Sequence, residues 1–327
     1  MKVHWLLPFK IENISQLKEV NLASIRLRLG SVSQNNSDSS FEISAGEDIE
    51  NNPDILIIGK LKSTKDQSVQ FWIDKIKLAK QNGAKIVIDY TDNYLDQHDS
   101  VFYKPFYDVL ISLTDSAVTS SNHLKLNLKK YFNGYIEIIE DAIEVPISKP
   151  YSSKKDMVNI LWFGHASNLK YLIKFIEQSK EFKTLTNIYA LTNEQGITIA
   201  NQSKVDMPNN LNVQLGLWSI DAMINTAKFC DLCIIPSDLN DERKAGVSSN
   251  RLITSLALGL PTAADKLDSY NEFDNYFIDI RSKEFEALMK KPDSFHDQVL
   301  RAQEKIIPNF TQKTISQKWI HFFAELN

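Results

Sequence analysis

Apolar positions along this chain follow two alternating rhythms. Unbroken apolar runs, DILIIG (54–59), NILWFG (159–164) and DLCIIPS (231–237), stand between longer stretches with helical spacing. Runs of that length suit parallel strands covered on both faces. After the first of them Val69, Trp72, Ile73, Ile76 and Ala79 share one helical face, and Asn82-Gly83 supplies the stop. KVHWLL (2–7), AKIVIDY (84–90) and YIEIIED (135–141) complete a first block of strands, with a helix expected from about Ser121 to Tyr131. The second block repeats the theme: a strand at 159–164, a helix over 168–182, strands in TNIYAL (186–191) and NVQLG (212–216), a helix at 219–229, a strand at 231–237, a helix at 248–259 closed by Gly259 and Pro261, and a short strand in PTAAD. Strand alternating with helix predicts parallel sheets joined by crossover helices.

The polar stretch KPYSSKKDM (149–157) separates the blocks. The expected organisation is therefore an N-terminal α/β domain over 1–150, a C-terminal one over 151–305, and a last helix over 306–327. That helix carries Trp319, Phe322 and Phe323 and is expected to pack back toward the N-terminal domain. A length of 327 residues agrees with two domains.

Net charge is −4, which argues against nucleic acid as a partner. The apolar run after Lys2 is too short for a secretion signal, and no stretch reaches the length of a membrane helix. The expectation is a cytoplasmic protein. Cys230 and Cys233 form a CxxC at a helix end, with no second pair to complete a zinc site, so they read as core residues.

Chemistry in such sheets gathers beyond the carboxyl ends of the strands. In FGHASNLK (163–170), Gly164 ends a strand and a helix begins at once, so open N–H groups favour an anion that Lys170 reaches. In IIPSDLNDERKAGVSSNRLITS (234–255), Ser248, Ser249 and Asn250 are able to cap a helix. With Lys244 and Arg251 that helix start suits a phosphate or diphosphate. The plain alternative for each is a turn glycine or a capped helix with solvated charges.

Together these stretches resemble the donor half of GT-B glycosyltransferases, family 4-like. Lys170 falls at the spacing of that family's lysine, and His165 stands at its arginine position. Asp231, Pro236-Ser237 and Ser255-Leu256-Ala257-Leu258-Gly259-Leu260-Pro261 match its later signature, with Trp218 ahead of them. Asp115 to Ser121 followed by Leu124 is similar to a stretch of its N-terminal half. Two glutamates that the family places eight residues apart are Gly246 and Thr254 here. Lys244, Asn250 and Arg251 form instead a pattern similar to that of a subgroup of surface-polysaccharide transferases. The resemblance implies two Rossmann-like domains facing across a cleft and a nucleotide sugar as substrate. It further implies a diphosphate held by Gly164, His165, Lys170, Lys244, Ser248, Ser249, Asn250 and Arg251.

In the first block, IVIDYTDNYLD places Asp89 and Asp92 where a strand ends, as candidates for a catalytic base or as helix caps. Arg26 and Arg28 follow the first strand and are candidates to meet an anionic acceptor; surface salt bridges are the alternative. His4 reads as a core histidine. The basic stretch 60–80, with Lys60, Lys62, Lys65, Lys75, Lys77 and Lys80, is either a solvated helix face or a peripheral contact with a membrane. The function expected is transfer of a sugar to a glycan or lipid-linked acceptor in surface-polysaccharide synthesis, without metal or other cofactor. Two alternatives stand beside it: a GT-B-like protein that binds nucleotide or glycan without turnover, and a two-lobed solute-binding protein.

Overall fold

A computed structural model describes residues 1–11, 23–35, 41–49, 52–62, 67–98, 100–151, 157–179, 181–203, 205–241, 244 and 246–326. The heart of the expected linker (152–156), Lys65, Glu242 and Arg243 lie outside the described residues. The chain divides into two compact units. The first comprises Met1–Ala142, Asp241–Ser248 and Phe310–Asn327; the second comprises Ile143–Asn240 and Ser249–Asn309. The division after Ala142 precedes the Pro- and Ser-bearing stretch at 149–157, and the segment Asp241–Ser248 groups with the first unit although the second surrounds it in sequence.

The first unit contains β1 (Lys2–Leu6), α1 (Ala23–Arg26), α2 (Leu29–Asn35), β2 (Glu42–Gly46), β3 (Ile55–Ile58), α3 (Val69–Gln81), β4 (Lys85–Tyr90), α4 (Tyr103–Leu110), β5 (Ser116–Thr119), α5 (Asn122–Leu128) and β6 (Tyr135–Ile138). The strands form one parallel sheet in the order β2-β1-β3-β4-β5-β6. Successive side chains of a strand point to opposite faces. Leu56 and Ile58 of β3 accordingly pack with Trp72, Ile76 and Phe106, while Ile55 and Ile57 pack with Val3, Trp5 and Trp319. This double cover explains the unbroken apolar run. The helix α3 starts at Ser68, whose hydroxyl accepts from Phe71 N, and stops at Asn82 before Gly83, which takes φ +98°.

The second unit contains β7 (Met157–Phe163), α6 (Ala166–Gln178), β8 (Glu181–Thr192), α7 (Glu194–Gln202), β9 (Asn209–Leu217), α8 (Ile220–Ala227), β10 (Leu232–Ile235), α9 (Asn250–Ala257), β11 (Thr262–Ala264), β12 (Ile278–Asp279), α10 (Lys283–Lys290) and α11 (His296–Lys305). Its sheet is also parallel, in the order β12-β11-β10-β7-β8-β9. Gly259 ends α9 at φ +84°, where a Cβ would stand 2.6 Å from Ser148 O, so glycine is required twice over.

The last helix, α12 (Gln312–Glu325), belongs to the first unit. Ile315, Trp319, Phe322 and Phe323 are buried on it, and the Trp319 ring meets Trp5 edge-on at 5.1 Å. Each such side chain contributes about 1.5–3 kcal/mol by leaving water.

Candidate active site

In the second sheet β7, first in sequence, is central. The chain proceeds through β8 and β9 on one side and β10, β11 and β12 on the other. At the β7/β10 junction the connections leave in opposite directions. The crevice beyond such strand ends is where this class of sheet takes its ligand. Gly164 leaves β7 there, and Ser237 follows β10. Ser237 N donates to Asp265 Oδ2 at 2.7 Å, which ties the end of β10 to that of β11.

Two helices open near this edge, and they differ. The start of α6 is already satisfied. His165 is its N-cap, and its Nδ1 accepts from Ser167 N at 3.2 Å. Asn193 Oδ1 accepts from Ala166 N at 3.1 Å and caps α7 as well, through Gly196 N at 3.2 Å. Two of the N–H groups expected to be open after Gly164, those of Ala166 and Ser167, are thus engaged by side chains. Asn193 carried no signal in the sequence beyond being an asparagine before a helix. At the start of α9, Ser249 holds the N-cap position without a side-chain capping bond of its own among the described residues.

Arg251 lies in the first turn of α9. Its Nη1 is buried and has no hydrogen-bond partner among the described residues. It stands against Gly164: a Cβ added there would lie 3.5 Å from Nη1 and 3.3 Å from the Trp162 ring. Burial pushes the pKa of Tyr270 up, and the nearby Arg251 guanidinium partly offsets this. Arg251, Gly164, Trp162 and Tyr270 therefore meet at one end of the second sheet.

The other expected phosphate ligands are placed differently. Lys170 is an exposed residue of α6 with its Nζ 4.7 Å from the Tyr171 ring centroid. Lys244 and Ser248 belong to the first unit, whereas Ser249, Asn250 and Arg251 belong to the second.

In the first unit the structure revises two expectations. Arg28 is fully buried, with Nε donating to Asp89 Oδ1 and Oδ2 at 2.7 and 2.9 Å, and Nη1 to Ile139 O at 2.6 Å and Asp141 Oδ1 at 3.2 Å. Burial works against the Arg28 charge, but the carboxylates outweigh it and raise its pKa. Burial likewise raises the pKa of Asp89, against the pull of Arg28. Arg28 is thus a buried ion-pair partner and is not presented to an acceptor. Asp89 is locked in the same network, so it is not exposed to a substrate hydroxyl. Arg26 is also buried, at the end of α1. Asp92 differs: its side chain is 30% exposed and accepts from Lys60 Nζ at 2.6 Å.

His4 is buried, with Nδ1 2.8 Å from Ser44 Oγ and Nε2 3.3 Å from Gly46 O. Cys230 and Cys233 are buried free thiols. Of the basic stretch, Lys75 meets Glu47 O and Lys80 pairs with Asp115 at 2.7 Å. Among the described residues no group of three or more His, Cys, Asp or Glu is arranged to hold a metal, and no helix is long and apolar enough to cross a membrane.

No protein-family model and no curated protein matches the sequence. The likeness is in structure. HepE of Anabaena, solved in complex with UDP and glucose, superposes with a TM-score of 0.62 at 11% identity, over 99% of this chain and 100% of that one. The lipopolysaccharide outer core galactosyltransferase WaaB gives 0.61 at 10% identity, over 99% and 100%. An alpha-glucosyltransferase in complex with UDP gives 0.61 at 12% identity, over 100% and 99%. The chain spans 54% of TarM and 57% of the matched chain of the GtfA/B complex, which are longer proteins. These likenesses show the fold: two Rossmann-like α/β units, as in GT-B glycosyltransferases.

Proposed function

We propose that the chain transfers a sugar from a nucleotide-activated donor to a hydroxyl acceptor, and that the second unit binds the donor diphosphate between Gly164 and the start of α9. The observation that carries this is the buried, unpartnered Arg251 Nη1 facing Gly164 at the topological switch point of the sheet. An unpaired buried N–H costs about 1–3 kcal/mol, and a phosphate oxygen is the partner that guanidinium geometry suits best. The absence of a side chain at Gly164 lets the Arg251 guanidinium and the Trp162 ring pack close against the end of β7. As the sugar departs, negative charge grows on the diphosphate. Arg251 and the α9 dipole are already oriented toward it, which lowers the barrier without reorganisation. This arrangement supplies charge stabilisation without a metal, and retention of transfer in chelator tests that part. Asp92, the half-buried member of the two expected acids and paired with Lys60, is the candidate base in the first unit.

Relatives that bind UDP make a nucleoside diphosphate the first ligand to try. Thermal unfolding in UDP, GDP, TDP and ADP tests the reading. Ligand at a hundred times its Kd stabilises by about 2.7 kcal/mol. A raised midpoint with one of them is expected, and four flat titrations contradict the proposal.

A second reading, binding without turnover, is favoured by Thr254. It is a buried, uncharged residue of α9 at a place where the resemblance calls for a glutamate. Hydrolysis or transfer of a bound donor sugar separates the two readings.

A further inference from the structure

Among the described residues four strands end the two sheets: β2 and β6 in the first, β12 and β9 in the second. An edge strand offers a row of unpaired backbone N–H and C=O groups, which charged side chains, proline or bulges ordinarily guard. β2 carries Glu42, β6 carries Glu137 and β12 carries Asp279, whereas β9 carries no charge and no proline in its nine residues. Its irregularities lie at one end, where Asn210 takes φ +63° and the register with β8 shifts between Glu181 and Thr186. From Leu211 to Leu217 the pairing with Thr186–Thr192 is unbroken. Within that segment Leu211, Val213, Leu215 and Leu217 share one face, and Asn212, Gln214 and Gly216 the other. Leu211 and Val213 pack on the core of the second unit, but Leu215 and Leu217 are 37% and 54% exposed. On the opposite face a row of amides crosses the sheet. Asn212 Nδ2 donates to Asn187 Oδ1 at 3.4 Å and Asn187 Nδ2 to Asn159 Oδ1 at 3.0 Å, so the row ends at the exposed Asn212 on the edge.

We infer that β9 pairs antiparallel with β9 of a second copy of this chain, about a twofold axis at Gln214, so that the second sheets of two chains join through this edge. The segment is its own complement in that register. Leu211 stands opposite Leu217 of the second copy, Val213 opposite Leu215, Asn212 opposite Gly216, and Gln214 opposite itself. Apolar positions thus meet apolar ones and polar positions meet neutral ones, and the exposed Leu215 and Leu217 gain cross-strand neighbours. No like charges are opposed within β9, and a charged partner strand would find no counter-charge along it. A single strand edge is small beside the about 800 Å² per partner of a standard interface, so the dimer is a weak one.

The test is sedimentation equilibrium of the full chain at protein concentrations from about one to several hundred micromolar. The mass is expected to rise from that of one chain toward that of two. Gln214 is exposed, and Gln214→Lys sets two like charges opposite each other at the axis, which should weaken the dimer about fivefold. Mixing Gln214→Lys with Gln214→Glu should restore association, and urea midpoints near that of the wild type show an intact fold. A cysteine pair reads the register independently. Opposite residues of antiparallel strands bring their Cα atoms within about 5.5 Å, as a disulfide requires. Gln214→Cys should therefore link two chains on oxidation, while Asn212→Cys, displaced by about 13 Å along the strand, should not. Cys230 and Cys233 are buried, so the added thiol reports alone. A wild type that stays monomeric throughout, association indifferent to Gln214→Lys, or Asn212→Cys linking as fast as Gln214→Cys overturns the inference.

Discussion

Arg28 grips Asp89 across the core of the first unit, its Nε within 2.9 Å of both carboxylate oxygens. The pair joins the segment after β1 to the end of β4, and Asp141 ties it to the chain beyond β6. Removing one partner strands a buried charge, which costs about 3–5 kcal/mol. Arg28→Met should therefore lower stability in urea by that order. Arg28→Met combined with Asp89→Leu should recover part of the loss. A negligible effect of the single variant would show that the pair is not buried as described.

Much of the architecture was legible because the strands that carry it are covered on both faces. β3, β7 and β10 read as unbroken apolar runs for that reason. β2 (EISAG) did not, since it is an edge strand with alternating exposure. The site was less legible. Gly164 and Arg251 could be marked because each lies at the junction of a strand or loop with a helix. The fates of Arg28 and Asp89 could not, because their pairing spans 61 positions and depends on β1 and β4 lying two strands apart in one sheet. Nor could Asn193, whose double cap exists only because α6 and α7 begin side by side. The grouping of Asp241–Ser248 with the first unit is a tertiary fact with no local signature.

Gly259→Ala should destabilise the second unit. The left-handed conformation costs about 1–2 kcal/mol for an L side chain, and overpacking costs about 1–3 kcal/mol more, since the neighbours at 2.6–2.8 Å are backbone atoms of Ser148 and Lys149. Equilibrium unfolding reads the sum. A change below about 1 kcal/mol would mean that this turn is looser than it is here.

Trp319→Ala empties a position between Trp5, Phe322 and Phe323. Loss of a buried Trp costs about 3–5 kcal/mol. The first unit should unfold earlier, and hydrogen exchange should rise across β1 and β3 first. Unchanged protection in those strands contradicts the placement of α12 on that sheet face.

The two thiols give a pH prediction. Burial pushes Cys233 from an ordinary 9.0 up to about 12, and pushes Cys230 up as well. The fold therefore favours the neutral thiols. Their contribution is fully present below the ordinary thiol value and is lost as pH rises through the folded one. In the native protein at pH 8 neither cysteine should react with a disulfide reagent, and both should react in denaturant. Rapid native modification would return the CxxC to consideration as a redox pair.

If Arg251 and Gly164 mark the diphosphate site, calorimetric titration of the best-binding nucleoside diphosphate into wild type and Arg251→Met separates the two proteins. Loss of a charge-assisted phosphate contact is expected to weaken binding about ten- to a hundredfold, with the thermal midpoint of the free protein little changed. Equal affinity in the two proteins would mean that the diphosphate does not bind at Arg251.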